Sequence, residues 1–367
     1  MRIGIPTEIK PSEYRVAITP PGVRQLTNLG HEVFVQAGAG LGSNITDAQY
    51  AQAGAAILDS AEAVWSSAEL LLKVKEPLPQ EYPFFRSDLT LFAYLHLAAQ
   101  EQLTRALLAA GITAFAYETV QLPNRSLPLL KPMSEVAGRL SVISGANAMF
   151  KPSGGAGILI SGVTGTNPGH VVILGAGVAG TNALQMAVGL GARVTILDTN
   201  TERLAQLESE YGATISTLVS TPATIETACV GADLVIGSVL IPGAKAPKLV
   251  TNALVSKMKP GSVLVDIAVD QGGCFEDTRP TTHDNPTFTV HGSTFYCVAN
   301  MPGAVPQTST EALTHATLPY VEKLAGGWRE AVANDPALRA GLNTSAGHLY
   351  NEGVGQAHGI VVTEALT

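Results

Sequence analysis

Short apolar runs bounded by Gly, Pro or charged residues recur along the chain and alternate with stretches whose apolar spacing suits a helix. The first third runs Ile3–Pro6, Gly22–Leu29, Glu32–Gln36, Leu70–Lys75, Leu89–His96, Glu101–Ala110 and Ile112–Glu118. Nearly continuous apolar runs of strand length mark strands buried on both faces, and strands separated by helices predict a mostly parallel sheet. The alternation resumes at Val171–Leu174 and Val194–Leu197 and continues through Asp233–Leu240 and Ser262–Ala268. Between the two series lies the breaker-rich string QLPNRSLPLLKP, Gln121 to Pro132, which predicts a boundary near residue 130.

A helix candidate, Ser134 to Phe150, leads through SGGAG (Ser153 to Gly157) into the second series, and another, Ser309 to Leu324, opens the C-terminal stretch. That stretch is too short for a third domain. The pattern therefore predicts an α/β protein of two doubly wound domains: residues 1–130 completed by 306–367, and residues 131–305. A length of 367 residues with 46% hydrophobic and 14% charged positions supports two sizeable cores and argues against disorder.

The most specific signal is VVILGAGVAGTNALQMAVGLGARVTILD, Val171 to Asp198. A strand breaks at Gly175, Gly177 and Gly180, a helix follows, and a second strand ends in Asp198, 23 positions after the first glycine. In this βαβ unit the first glycine permits the tight turn, the second admits a pyrophosphate to the backbone, and the third lets helix and strand pack closely. A carboxylate at Asp198 suits both ribose hydroxyls and repels a 2′-phosphate, which favours NAD over NADP.

The bulk properties narrow the remaining choices. A net charge of −8 offers no basic surface for nucleic acid or anionic lipid. Cys229, Cys274 and Cys297 form no CxxC pair, so neither a zinc site nor a disulfide framework is suggested, and a reduced cytoplasmic setting fits. The N-terminal MRIGIPTEIK has no signal-peptide core, and Thr181, Asn182, Gln185 and Arg193 interrupt the longest apolar stretch, so no membrane span is expected.

In open parallel sheets, ligands bind beyond the carboxyl ends of the strands. Lys75, His96 and Glu118 each close an apolar run of the first series, and Asp270 lies just beyond the run Ser262–Ala268 of the second. All four could face one cleft between the domains. Each also has a plainer reading: Lys75 as a solvated strand-end charge, His96 as a hydrogen-bonded core residue, Asp270 as the cap of the QGG turn, and Glu118 as an ion-pair partner of Lys75 or Arg15. Ser134 is expected to be an N-cap, with a phosphate contact as an added role.

These residues sit in strings that resemble the L-alanine dehydrogenase family along nearly the whole chain. The matching strings are MRIGIPTEIKPSEYRVAITPPGV, KVKEP around Lys75, LFAYLHLA around His96, PMSEVAGRLS, VVILGAGVAGTNA, DIAVDQGGCFEDTRPTTHDNPTF and VANMPGAVPQTST. The resemblance implies two Rossmann-like domains with the active site in the cleft between them, usually in a homohexamer. It implies that Arg15 and Lys75 hold the substrate carboxylate and that His96 and Asp270 are catalytic. It further implies NAD contacts from Ser134, Gly175, Gly177, Val178, Ala179, Gly180, Asp198, Arg203, Ser220, Val239, Leu240, Ile267, Ala268, Val269, Asp270, Arg279, Val298, Ala299, Asn300 and Met301. Relatives often carry Lys at position 203, where this chain has Arg. The metal site of some relatives finds no carboxylate or imidazole at Lys323 and Gly327, so no metal is expected.

The implied reaction is NAD-dependent deamination of L-alanine to pyruvate and ammonium, and its reverse. A guanidinium and an ammonium suit a carboxylate clamp, and the expected clamp at Arg15 is bidentate. An imidazole suits proton transfer near neutral pH, and a carboxylate suits ammonium or iminium charge. Lys75 is an alternative proton-transfer group. The rival assignments are the NAD-binding component of a proton-translocating transhydrogenase, a non-catalytic NAD sensor, and an opine-type dehydrogenase.

Overall fold

In the computed structural model, which describes residues 1–239 and 246–364, the chain divides into two units, Met1–Met133 with Val305–Thr367, and Ser134–Ala304. The first unit begins with β1 (Arg2–Ile5), β2 (Glu32–Gln36), β3 (Ala56–Leu58), β4 (Leu70–Leu72), β5 (Thr90–Ala93) and β6 (Thr113–Ala116). The second contains β7 (His170–Leu174), β8 (Arg193–Asp198), β9 (Ile215–Val219), β10 (Leu234–Gly237), β11 (Val263–Asp266), β12 (Thr287–Val290) and β13 (Ser293–Tyr296). The returning C-terminal segment adds β14 (Leu342–Ser345) and β15 (His348–Leu349) to the first sheet.

The second sheet has the order β12-β13-β11-β10-β7-β8-β9, parallel throughout except for the antiparallel edge strand β12. Successive residues of each strand face opposite sides, and both sides are apolar. Val171, Ile173, Val194, Ile196, Leu234, Ile236, Val263 and Val265 belong to one core, whereas Val172, Leu174, Leu197, Val235, Leu264 and Phe295 belong to another. Two cores on one sheet are the physical content of a doubly wound fold. Strand order reverses between β7 and β10, so the glycine turn after β7 lies at a topological switch point.

The first sheet runs β15-β14-β6-β5-β4-β1-β2-β3, with β1 to β6 parallel and β14 antiparallel to β6. Its switch point lies between β1 and β4, and Leu71, Leu91, Ala93, Ala114 and Ala116 pack one face against Val64, Trp65, Leu103 and Leu107. Strand β14 is buried although its sequence is LNTS: Thr344 Oγ1 donates to Ile112 O at 3.1 Å, and Ser345 Oγ lies 3.0 Å from Thr113 Oγ1.

Candidate active site

In the second unit, β7 ends at Leu174 and the chain turns through Gly175, whose φ of +101° favours glycine. A Cβ on Gly180 would stand 1.8 Å from Gly175 O, so the helix Val178–Gly189 starts in contact with the turn. Gly177 differs, because a Cβ there would meet nothing within 4 Å. No side chain caps this helix, and Gly177 and Val178 at its start are exposed. A bare glycine and an uncapped helix start are what a dinucleotide pyrophosphate requires, and the residues present fit that group.

Polar residues brace this turn. Asp198 Oδ2 accepts the N–H of Ala176 at 2.6 Å, and its Oδ1 accepts that of Asn200 at 2.8 Å. Arg203 donates from Nε to Ala176 O (3.1 Å) and from Nη2 to Thr181 Oγ1 (2.8 Å). Ser238, just past β10, donates from Oγ to Leu174 O and Gly175 O across the switch point. Ser220 follows β9, its N–H bonded to Asp198 O, and Val239 follows β10; Leu240 lies outside the described residues.

Beyond β11, Ile267 and Ala268 lead into a single 3-10 turn, Val269–Gln271, on which Asp270 is exposed. That loop is held by Asp266, which is fully buried and accepts the N–H groups of Ala268 (3.1 Å), Cys274 (2.9 Å) and Phe275 (3.4 Å). Burial raises the Asp266 pKa, and these hydrogen bonds with that of Thr278 work against the rise. The Arg279 guanidinium stacks on Phe288, 4.3 Å from the ring centroid. Val298 and Met301 are buried and Ala299 and Asn300 half-buried, with Asn300 at a φ of +61°. Ser134 is not an N-cap: the helix begins three residues earlier, at Lys131, because Pro132 fits its first turn.

The first unit gathers charges beyond its own strand ends. Strand β4 stops at Leu72, earlier than the apolar run suggests, and Lys73 next to it is wholly buried between Glu8 Oε2 (3.1 Å) and Glu81 Oε1 (3.0 Å). Burial opposes the Lys73 charge, and the two carboxylates more than offset it. Glu8 also accepts the N–H of Val74 at 2.6 Å and that of Lys75 at 3.4 Å, fixing the backbone that carries Lys75. Lys75 is 8% exposed, and its Nζ lies 3.4 Å from His96 Nε2.

His96 sits three residues beyond β5 with φ 51° and ψ 37°, the left-handed region. For a non-glycine residue that conformation costs about 1–2 kcal/mol and needs outside support. Its ring stacks near Tyr94, with centroids 6.0 Å apart and planes 12° from parallel. Glu118, in the 3-10 turn after β6, accepts the N–H of His96 at 2.6 Å and that of Leu95 at 3.2 Å. It spends its carboxylate on backbone, in place of the ion pair with Lys75 or Arg15 weighed from sequence.

Arg15 is 2% exposed and pairs side-on with Glu13, from Nε at 2.6 Å and Nη2 at 2.5 Å, while Nη1 lies 3.0 Å from Met133 Sδ. Burial opposes its charge, and the Glu13 bond outweighs that and holds the guanidinium protonated. The edge expected to clamp a substrate is thus taken by Glu13 in this structure. The first unit therefore brings Lys75 and His96 together. Sequence reasoning did not single out Glu8, Glu13, Lys73 or Asp266, whose roles run through backbone atoms or burial and leave no motif. A surface groove of this unit, among Arg24, Gln49, Gln307 and His315, is lined by none of Arg15, Lys75 or His96.

Two family models match the chain: alanine dehydrogenase/PNT, N-terminal domain, over residues 4–137, and alanine dehydrogenase/PNT, C-terminal domain, over 141–352. The second match runs past Ala304 into the segment that the fold returns to the first unit. The chain is 59% identical over 366 residues to the alanine dehydrogenase of Mycolicibacterium smegmatis, covering 100% of this chain and 99% of that protein. A solved L-alanine dehydrogenase superposes with a TM-score of 0.95 at 54% identity, covering 97% of this chain and 99% of that one. A transhydrogenase from Sinorhizobium meliloti gives 0.83 at 29% identity, over 96% of this chain and 99% of that one. With both its units matched in order along almost their entire length, the chain belongs to the alanine dehydrogenase/PNT family.

Proposed function

We propose that the protein is an L-alanine dehydrogenase, which deaminates L-alanine oxidatively to pyruvate and ammonium and catalyses the reverse reductive amination. The observation that carries this reading is full-length identity to a curated alanine dehydrogenase, 59%, about twice that to the transhydrogenase, 29%. The pairing of Lys75 Nζ with His96 Nε2 at 3.4 Å adds chemistry that a mere nucleotide-binding module does not need. Among the described residues, no helix is long and apolar enough to cross a membrane.

Gly175, Gly177, Val178, Ala179 and Gly180 would hold the pyrophosphate of NAD, with Asp198 and Arg203 toward the ribose. Ser134, Ser220, Val239, Leu240, Ile267 to Asp270, Arg279 and Val298 to Met301 would complete its site. When bound, nicotinamide supplies a hydride acceptor. The preference for NAD over NADP rests on the Asp198 carboxylate, which repels a 2′-phosphate.

The chain's own groups supply the rest. Lys75 and Arg15 attract the substrate carboxylate; with the Nε–Nη2 edge of Arg15 on Glu13, the attraction is that of positioned charge more than of a two-bond fork. His96 Nε2 takes and returns protons at the substrate nitrogen and oxygen, with Lys75 Nζ 3.4 Å away. Asp270, exposed on its turn, stabilises ammonium and iminium charge. A homohexamer in the cytoplasm completes the proposal.

The test is NADH formation from L-alanine and NAD, and NADH consumption with pyruvate and ammonium. Absence of turnover in both directions overturns the proposal. His96→Ala is expected to abolish turnover with NADH affinity kept within a few fold, and light scattering tests the hexamer.

A further inference from the structure

We infer that Glu118 is a positioning residue for the reaction, holding His96 in the backbone conformation that aims its imidazole at the substrate. The inference rests on His96 as the proton-transfer group. Strands β5 and β6 run parallel with Ala93 opposite Ala116, so the two chain segments leave the sheet side by side. Beyond Ala93 the N–H groups of Leu95 and His96 have no strand partner, and an N–H withdrawn from water needs one. Glu118 supplies it for both. Its Oε1 accepts from His96 at 2.6 Å and from Leu95 at 3.2 Å, and its Oε2 also lies 3.2 Å from Leu95 N.

The far side of the turn is equally fixed. Ala99 N–H donates to His96 O at 2.9 Å. Leu97 O lies 2.7 Å from His358 Nε2 and accepts from Thr104 Oγ1 at 3.2 Å. With carbonyls anchored downstream and N–H groups anchored by Glu118, the φ of +51° at His96 is set from both ends. Release of the upstream end lets φ relax to negative values, and the Cα–Cβ bond then swings the ring away from Lys75 Nζ, 3.4 Å off in this structure.

The test compares Glu118→Ala, Glu118→Gln and Glu118→Asp with the full-length enzyme, measuring kcat and KM for pyruvate, NADH affinity by fluorescence, and the melting temperature. Glu118→Ala is expected to lower kcat about 100-fold with KM and NADH affinity within about threefold, the signature of a misplaced reacting group. Glu118→Gln keeps an acceptor oxygen and is expected to recover kcat to within about tenfold of the native enzyme, which loss of packing alone would not predict. If Glu118→Ala does not fold, Glu118→Asp carries the test: one methylene shorter, it is expected to lose about tenfold or more in kcat, and native kcat in it overturns the inference. A folded Glu118→Ala with kcat within twofold of native also overturns it, as does a loss confined to NADH affinity. His96→Ala in the same assay separates the two readings. Turnover that survives in His96→Ala overturns the role of His96 itself, whereas turnover lost there and retained in Glu118→Ala overturns only the role of Glu118.

Discussion

Asp198 Oδ2 accepts the backbone N–H of Ala176 at 2.6 Å, so the acid that ends β8 also fixes the turn that ends β7. The side chain proposed to meet the ribose is therefore also part of the mount of the glycine turn. Asp198→Ala removes both functions at once and is expected to weaken NADH binding about tenfold or more, with a smaller loss for NADPH because a charge repelling its phosphate is gone. Fluorescence titration with both nucleotides reads the ratio. An unchanged ratio would refute the ribose role.

Two glycines of that loop are expected to fail in opposite ways. Gly180→Ala drives a methyl into Gly175 O, with an ideal separation of 1.8 Å, and is expected to destabilise the protein by more than about 3 kcal/mol. Gly177→Ala meets nothing within 4 Å and has an ordinary φ of −71°, so its melting temperature is expected to match the native one. Its methyl instead occupies ligand space, and NADH affinity is expected to fall about tenfold or more. Equal NADH affinity in a stable Gly177→Ala would place the pyrophosphate elsewhere.

Lys73 is the sole cation held between Glu8 and Glu81 in the described ion pairs, at 3.1 and 3.0 Å with no exposed side-chain surface. Lys73→Met leaves two buried carboxylates facing one another and is expected to cost about 3–5 kcal/mol, read from urea denaturation. The double variant Glu8→Gln/Lys73→Met is expected to recover part of that loss, because one of the two stranded charges is then removed.

Acid stability has a specific contributor in Glu76. Burial pushes its carboxyl up, but the hydrogen bond from Lys10 Nζ at 2.5 Å and the charges of Lys75 and His96 outweigh that and hold it below the usual value of 4.5. A depressed carboxylate contributes stability above its unfolded-state pKa and loses that contribution as pH falls through the folded value. Glu76→Gln is thus expected to melt below the native protein at pH 7, with the gap closing as pH drops below 4.5. A gap that is constant from pH 7 to about pH 3 would remove Glu76 from the account.

Much of the fold is legible from the pattern of apolar positions: β2 matches the run Glu32–Gln36 residue for residue, with Val33 and Val35 buried, and the helix Glu101–Ala110 is equally plain. Strand β14 is not legible, since Leu342-Asn343-Thr344-Ser345 satisfies its burial with hydrogen bonds in place of apolar alternation. The run Leu70–Lys75 overstates β4, which ends at Leu72, and the burial of Lys73 between two carboxylates cannot be told from sequence. Within the candidate site, the glycine loop and the polar strand ends are visible as motifs. The acids Glu8 and Asp266 behind them are not, because they act on peptide N–H groups, which leave no side-chain motif; Glu118 is visible as a strand end, but its hold on the His96 amide is not.

The second unit repeats this device. Asp266 grips Ala268, Cys274 and Phe275 as Glu118 grips Leu95 and His96, so the loops bearing Asp270 and His96 are irregular in outline yet tethered atom by atom. Amides bound in this way are shielded from solvent until the tether opens. In deuterated water the amides of His96, Ala176 and Cys274 are therefore expected to retain their protons as strand amides do, so that the segments most irregular in trace would be among the slowest to exchange.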